Sequence, residues 1–118
     1  MVLAVLRGEV AEDSLLPLFE GASLSSVNLT EILSKLDEIS PGPYPKAKRL
    51  LSLFAGVKPF TERQARMAAE LRARTRHAGL SLGDRACLAL AMELEADVYT
   101  ADRAWSTLDL PCRIHLIR

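Results

Sequence analysis

Much of what would narrow a functional reading is scarce in this chain. Cysteine occurs only twice among 118 residues, as Cys87 and Cys112. The two are not in a CxxC arrangement, and with His77 and His115 they do not make the spacing of a zinc site, so both are read as reduced thiols. No apolar run approaches the roughly 20 residues that span a bilayer, and no membrane association is expected. The opening stretch MVLAVLRGEV lacks a basic leader and a small-residue cleavage site, so no secretory signal is read and the expected compartment is the cytoplasm. Net charge is zero, which excludes a large overall field for nucleic acid or membrane. Repeats and low-complexity tails are missing as well. Aromatic residues make up 5% of the chain, and the one tryptophan, Trp105, is expected in the core or a dimer contact rather than under a base.

What is present is the composition of an ordinary globular protein, 49% hydrophobic and 25% charged. The length suits a single domain, 1–118, with its own core. Leu29, Ile32, Leu33, Leu36 and Ile39 recur at helical spacing over 28–39, after a short β-leaning stretch at 23–27. A short helix ended by Gly21 precedes these elements, and SPGPYP (40–45) reads as a loop between the helix 28–39 and a further helix over 46–54. GVKPF (56–60) reads as an edge strand because of Pro59. An arginine-rich helix (61–77), an apolar helix (83–96), a strand (97–100), a helical turn and a last strand (112–117) follow. Strands alternating with helices predict an α/β fold with a short, mostly parallel sheet. In such folds ligands bind beyond the carboxyl ends of the strands.

Three acids fall at those places. Glu31 lies one turn into the helix after 23–27, Asp84 opens the apolar helix, and Asp102 follows the strand 97–100. Carboxylates converging on one sheet edge need a cation to offset their repulsion, and oxygen-only donors suit Mg²⁺ or Mn²⁺. A cation so held next to phosphate serves phosphodiester hydrolysis. Spacing alone leaves a plainer reading open. Asn28-x-x-Glu31 and Ser81-x-x-Asp84 both follow the capping-box pattern, and Thr61-x-x-Gln64 shows the same grammar with an amide. Arg63, Arg66, Arg72, Arg74 and Arg76, with His77 after them, fit either a local phosphate attraction or a solvated face laced with Glu62 and Glu70.

The segments SSVNLTEILSKL, GLSLGDRACLALAMELEADVYTADRAW and LDLPCRIHLIR together resemble the PIN-domain family, specifically the VapC-type toxins of type II toxin–antitoxin systems. The resemblance implies a three-layer α/β/α domain that cuts RNA with Mg²⁺ or Mn²⁺, forms a homodimer and is neutralised by a cognate antitoxin. It places Glu31, Asp84 and Asp102 as the catalytic, metal-holding acids, with Thr100, Asn28 and Ser26 close to the site. Arg85 and Arg103, each beside an acid, are candidates for RNA phosphate or for local ion pairs.

The N-terminus departs from the family pattern. Family members open on an apolar strand ending in Asp, and a helix resembling LLAVLRGE follows. Here the helix-like part starts near Leu3, so the first strand and its Asp are expected to be missing, with an earlier true start as the favoured explanation. A less favoured alternative has VLAVL (2–6) forming that strand, with Glu9 or Asp13 standing in for the Asp. Three readings follow. One is an active metal-dependent ribonuclease; another is a catalytically impaired relative that keeps antitoxin or self-association surfaces. A phospho-receiver domain fits worst, for want of acids after the first strand and a lysine after the last. Leu15, Leu16, Leu18 and Phe19 with Leu50, Leu51 and Phe54 would serve either core packing or a groove for an amphipathic partner helix.

Overall fold

Val2–Leu3 (β1), Ser23–Ser25 (β2), Gly56–Lys58 (β3), Val98–Thr100 (β4) and Ile114–Leu116 (β5) make one parallel sheet, ordered β3-β2-β1-β4-β5. Three α-helices accompany it: Ser26–Ile39 (α1), Glu62–Arg74 (α2) and Leu82–Leu94 (α3), with 3₁₀ turns at Arg76–Ala78 and Arg103–Thr107. This computed structural model describes Val2, Leu3 and residues 21–39, 52, 54–100 and 102–116. The helix expected over 46–54, the apolar residues Leu15 to Phe19, Leu50 and Leu51, and the stand-in acids Glu9 and Asp13 lie outside the described residues.

The alternation of strands and helices bears out the α/β class, and one expectation is corrected. The first strand is not missing. Val2 pairs with Ser23 on one side and Val98 on the other, and Leu3 pairs with Tyr99, so β1 holds the middle of the sheet. The physical reason lies in the neighbours, because β2 and β4 would each leave a row of N–H and C=O groups unpaired without a strand between them. Leu3, expected to begin a helix, is drawn into the sheet by that demand.

A second boundary moves for a local reason. The β-leaning stretch 23–27 ends at Ser25, whose Oγ accepts the Val27 N–H at 3.2 Å, and the helix begins at Ser26. Pro59 follows β3, which lies at the sheet edge as its proline required. At the other edge, Tyr99 stacks on its cross-strand partner His115, ring centroids 4.7 Å apart. His115 Nε2 lies 3.0 Å from Asp97 Oδ2.

The apolar helix becomes the centre of packing. Gly83 and the unbroken run Ala86 to Ala91 on α3 are buried, and α3 packs on α1, α2, β1 and β2. Leu71, Cys87, Leu88, Leu90, Ala91, Val98 and Trp105 form one core cluster. Trp105 is 1% exposed, which makes it a core residue. Helix α3 ends on Glu95 in the left-handed region, at φ 52°. A Cβ there costs about 1 kcal/mol that glycine avoids. Glu95→Gly is therefore expected to raise stability by roughly 0.5–1 kcal/mol, read from a denaturant midpoint shift with unchanged slope.

Candidate active site

The carboxyl ends of β2 and β4 and the N-terminus of α3 carry the three acids. Glu31 sits on the second turn of α1, half-buried, with its carboxylate laid against Gly83 of α3. A Cβ built on Gly83 would fall inside that carboxylate, 2.6 Å from Cδ and closer still to Oε1. The backbone of Gly83 has no positive φ, so glycine is needed here for close approach rather than for conformation.

Asn28 fastens this arrangement. Its side chain is 1% exposed, and Nδ2 donates to Glu31 Oε1 and to the Gly83 carbonyl, each at 3.0 Å. Asn28 thereby ties α1 to α3 and orients Glu31 in one step. Among the described residues its buried Oδ1 has no partner. The sequence placed Asn28 in a capping box with Glu31, but α1 begins at Ser26, so the bond runs side chain to side chain inside the first turns.

Asp84 answers to the capping reading in full. Ser81 Oγ accepts the Asp84 N–H at 3.2 Å, while Asp84 Oδ2 accepts the Ser81 N–H at 3.0 Å. Thr61 and Gln64 make only half of that motif. Gln64 N–H donates to Thr61 Oγ1, and the buried Gln64 amide turns to Glu93 on α3 instead. Asp102 caps the turn Arg103–Thr107, its Oδ1 accepting the Ala104 N–H at 2.9 Å. Thr100, buried at the end of β4, accepts the Asp102 N–H on Oγ1.

The other sequence candidates have different employments. Ser26 Oγ accepts the Phe60 N–H at 2.9 Å and binds the exit of β3 to the start of α1. Arg85 Nη1 donates to the Ala68 carbonyl of α2 at 2.9 Å, so this guanidinium joins two helices rather than Asp84. Arg103 is exposed beside Asp102.

Hydrogen bonds thus take one oxygen of each acid: Oε1 of Glu31, Oδ2 of Asp84 and Oδ1 of Asp102. Among the described residues the second oxygen of each takes none. Such donors suit a hard divalent cation. Among the described residues no three His, Cys, Asp or Glu side chains are grouped to hold a metal ion, so no ready-made cage exists there. Mg²⁺ commonly needs no cage, keeping waters and binding through one or two carboxylates plus substrate phosphate. The donors present fit that looser arrangement, with Glu31 and Asp84 both at the head of α3. Their negative charge is felt by the buried Cys87 thiol, whose pKa is pushed up by burial first and then by Asp84, Cys112 and Glu31. A cavity of about 490 Å³ lies elsewhere, lined by Trp105, Cys112, His115 and their neighbours, and none of the three acids borders it.

The geometry can be set beside known proteins. A family model described as the PIN domain matches residues 1–110. Similar solved structures include a chain of a toxin–antitoxin complex from Klebsiella pneumoniae, 17% identical, with a TM-score of 0.67 over 96% of this chain and 98% of that one. A chain of FitAcB from Neisseria gonorrhoeae is 21% identical, with a TM-score of 0.68 over 98% of this chain and 96% of the other. A chain of VapBC2 from Rickettsia felis, bound to a DNA fragment from its promoter, is 13% identical with a TM-score of 0.72, and both chains are covered completely. At these identities the likeness shows a common fold. No curated protein matches the chain in sequence.

Proposed function

The chain belongs to the PIN domain family, and on that premise we propose that it is a VapC-type toxin: a metal-dependent endoribonuclease that hydrolyses RNA phosphodiester bonds. A cognate antitoxin neutralises it, and it acts in the cytoplasm as a homodimer. The observation that carries the reading is the pair Glu31 and Asp84 at the head of α3, with Asp102 at the end of β4, each acid keeping one oxygen free of hydrogen bonds among the described residues. The solved structures of like fold include toxin–antitoxin complexes, which supports the partner. No helix among the described residues is long and apolar enough to cross a membrane.

Glu31 and Asp84, joined by Asp102, would hold Mg²⁺ or Mn²⁺. A bound cation supplies the acidity that turns water into a nucleophile and the charge that offsets the leaving oxygen. The chain's own part is preorganisation. Asn28 fixes the Glu31 carboxylate, the Ser81 backbone fixes Asp84, and the Ala104 N–H with Thr100 fixes the turn that presents Asp102. Calorimetric titration with Mn²⁺ tests this directly: heat of binding is expected for the native chain and is lost in Asp84→Asn, and RNA cleavage stops when EDTA is added. RNA cleavage that continues in EDTA overturns the reading.

One observation favours a second reading. β1 carries no acid, and the first acid after it in the chain is Glu9. A central strand without a carboxylate at its end fits a catalytically impaired relative that keeps antitoxin or self-association surfaces. That reading expects antitoxin binding with neither Mn²⁺ heat nor RNA cleavage.

A further inference from the structure

The arginine-rich segment is not one surface but two. Over residues 62–70 acids and arginines balance, and the arginines are paired: Arg66 with Glu62 at 3.5 Å and Arg63 with Glu93 at 3.9 Å. From 71 to 83 there are three arginines and a histidine with no acid at all. The turn Arg103–Thr107 adds one more arginine, between its cap Asp102 and the exposed Asp109. Arginines thus outnumber acids at this end of α2, and among the described residues none of Arg72, Arg74, Arg76 and Arg103 is in an ion pair.

That end is rigidly built. The turns Arg76–Ala78 and Arg103–Thr107 pack together, with Trp105 buried beneath the second. Thr107 Oγ1 donates to the Ala104 carbonyl, so its oxygen accepts from His77 Nε2–H at 3.1 Å. Arg74 Nη2 donates to the Asp109 carbonyl at 3.0 Å. These bonds staple the turns and engage Nη2 of Arg74 and one nitrogen of His77. Arg72, Arg76 and Arg103 are exposed, and among the described residues their side chains take no ion pair or hydrogen bond.

The two turns also adjoin the acids. Only Gly79, Leu80 and the cap Ser81 separate the first turn from α3, whose third residue is Asp84, and Asp102 is itself the cap of the second. We infer that the shoulder formed by Arg72, Arg76 and Arg103 is the surface that grips the phosphates of a single RNA strand passing the acidic edge. Guanidinium groups suit phosphate because they donate in a fixed fork. The stapled turns hold the backbone of Arg76 and Arg103 in place before binding, which lowers the ordering cost to that of the side chains. RNA is favoured over an acidic polypeptide because the shoulder lies next to the carboxylates that would hold a hard cation, and such a cation is shared between carboxylates and substrate phosphate.

This inference rests on the ribonuclease reading, and its test works without catalysis. Binding of a short fluorescein-labelled single-stranded RNA is followed by anisotropy in EDTA, between about 50 and 200 mM salt. Replacing Arg72, Arg76 and Arg103 together by Ala is expected to weaken binding on the order of tenfold and to lower the slope of log K against log salt by about 2. Arg63→Ala with Arg66→Ala, at the paired end, should leave both unchanged. Circular-dichroism melts confirm that the variants fold. Equal losses from both sets, an unchanged salt slope in the triple variant, or tighter binding of poly-glutamate than RNA would each overturn the assignment. RNA binding that behaves as expected in a chain that never cleaves RNA sinks the ribonuclease reading while leaving the phosphate surface standing.

Discussion

Glu31→Gln is expected to lower metal-dependent RNA cleavage by at least about a hundredfold with little effect on folding. The glutamine carbonyl can still accept the bond from Asn28 Nδ2, so the link across to Gly83 survives. What disappears is one negative charge from the pair that would hold the cation. Metal-ion catalysis contributes several kcal/mol of charge stabilisation, and a loss of about 3 kcal/mol is two powers of ten in rate. The measurement is initial cleavage rate at saturating Mn²⁺, with a thermal melt alongside. A variant that keeps more than about a tenth of native activity would remove Glu31 from the proposed chemistry.

Gly83→Ala should separate function from stability even more sharply. The added Cβ falls where the Glu31 carboxylate now lies, and that carboxylate is the far end of a flexible side chain. Moving it is cheap for the fold. Alanine gains roughly 0.5–1 kcal/mol in a helix over glycine, and losing the Asn28–Glu31 bond costs roughly 0.5–1.5 kcal/mol. The two nearly cancel, so the melting temperature is expected to stay within a few degrees. Activity is expected to fall tenfold or more, because Glu31 is pushed off the head of α3. In a Glu31→Ala background the same change should cost nothing further, since the side chain it displaces is gone. A fully active Gly83→Ala variant would mean that Glu31 need not lie where the structure puts it.

These cases show how the site was and was not legible. Glu31, Asp84 and Asp102 could be picked out because acids at helix starts after strands stand out against an apolar pattern. Spacing could not say whether Asp84 caps or ligates, and the structure has it capping with one oxygen and keeping the other. The contact between Glu31 and Gly83 joins residues on different helices, and local sequence holds no trace of it. Asn28 followed a capping pattern, yet its amide reaches across to α3, because one residue's shift in the start of α1 decides which groups it meets.

By itself the sequence determined the class. Alternating periodicities dictate strands and helices, proline after GVK demands an edge strand, and an apolar run from Ala86 to Ala91 demands a central helix. It also determined the family, through motifs spread along nearly the whole chain. Tertiary structure alone decided that Val2–Leu3 fills the middle of the sheet, against its likeness to a helix, because backbone groups on both neighbouring strands need partners. It also decided which arginines are neutralised. Arg63 and Arg66 share a segment with Arg72 and Arg76, but Glu93 belongs to α3, and only the packing of α2 on α3 brings it to Arg63. Local pattern fixes what a residue can do; which partner it meets depends on elements far away in the chain.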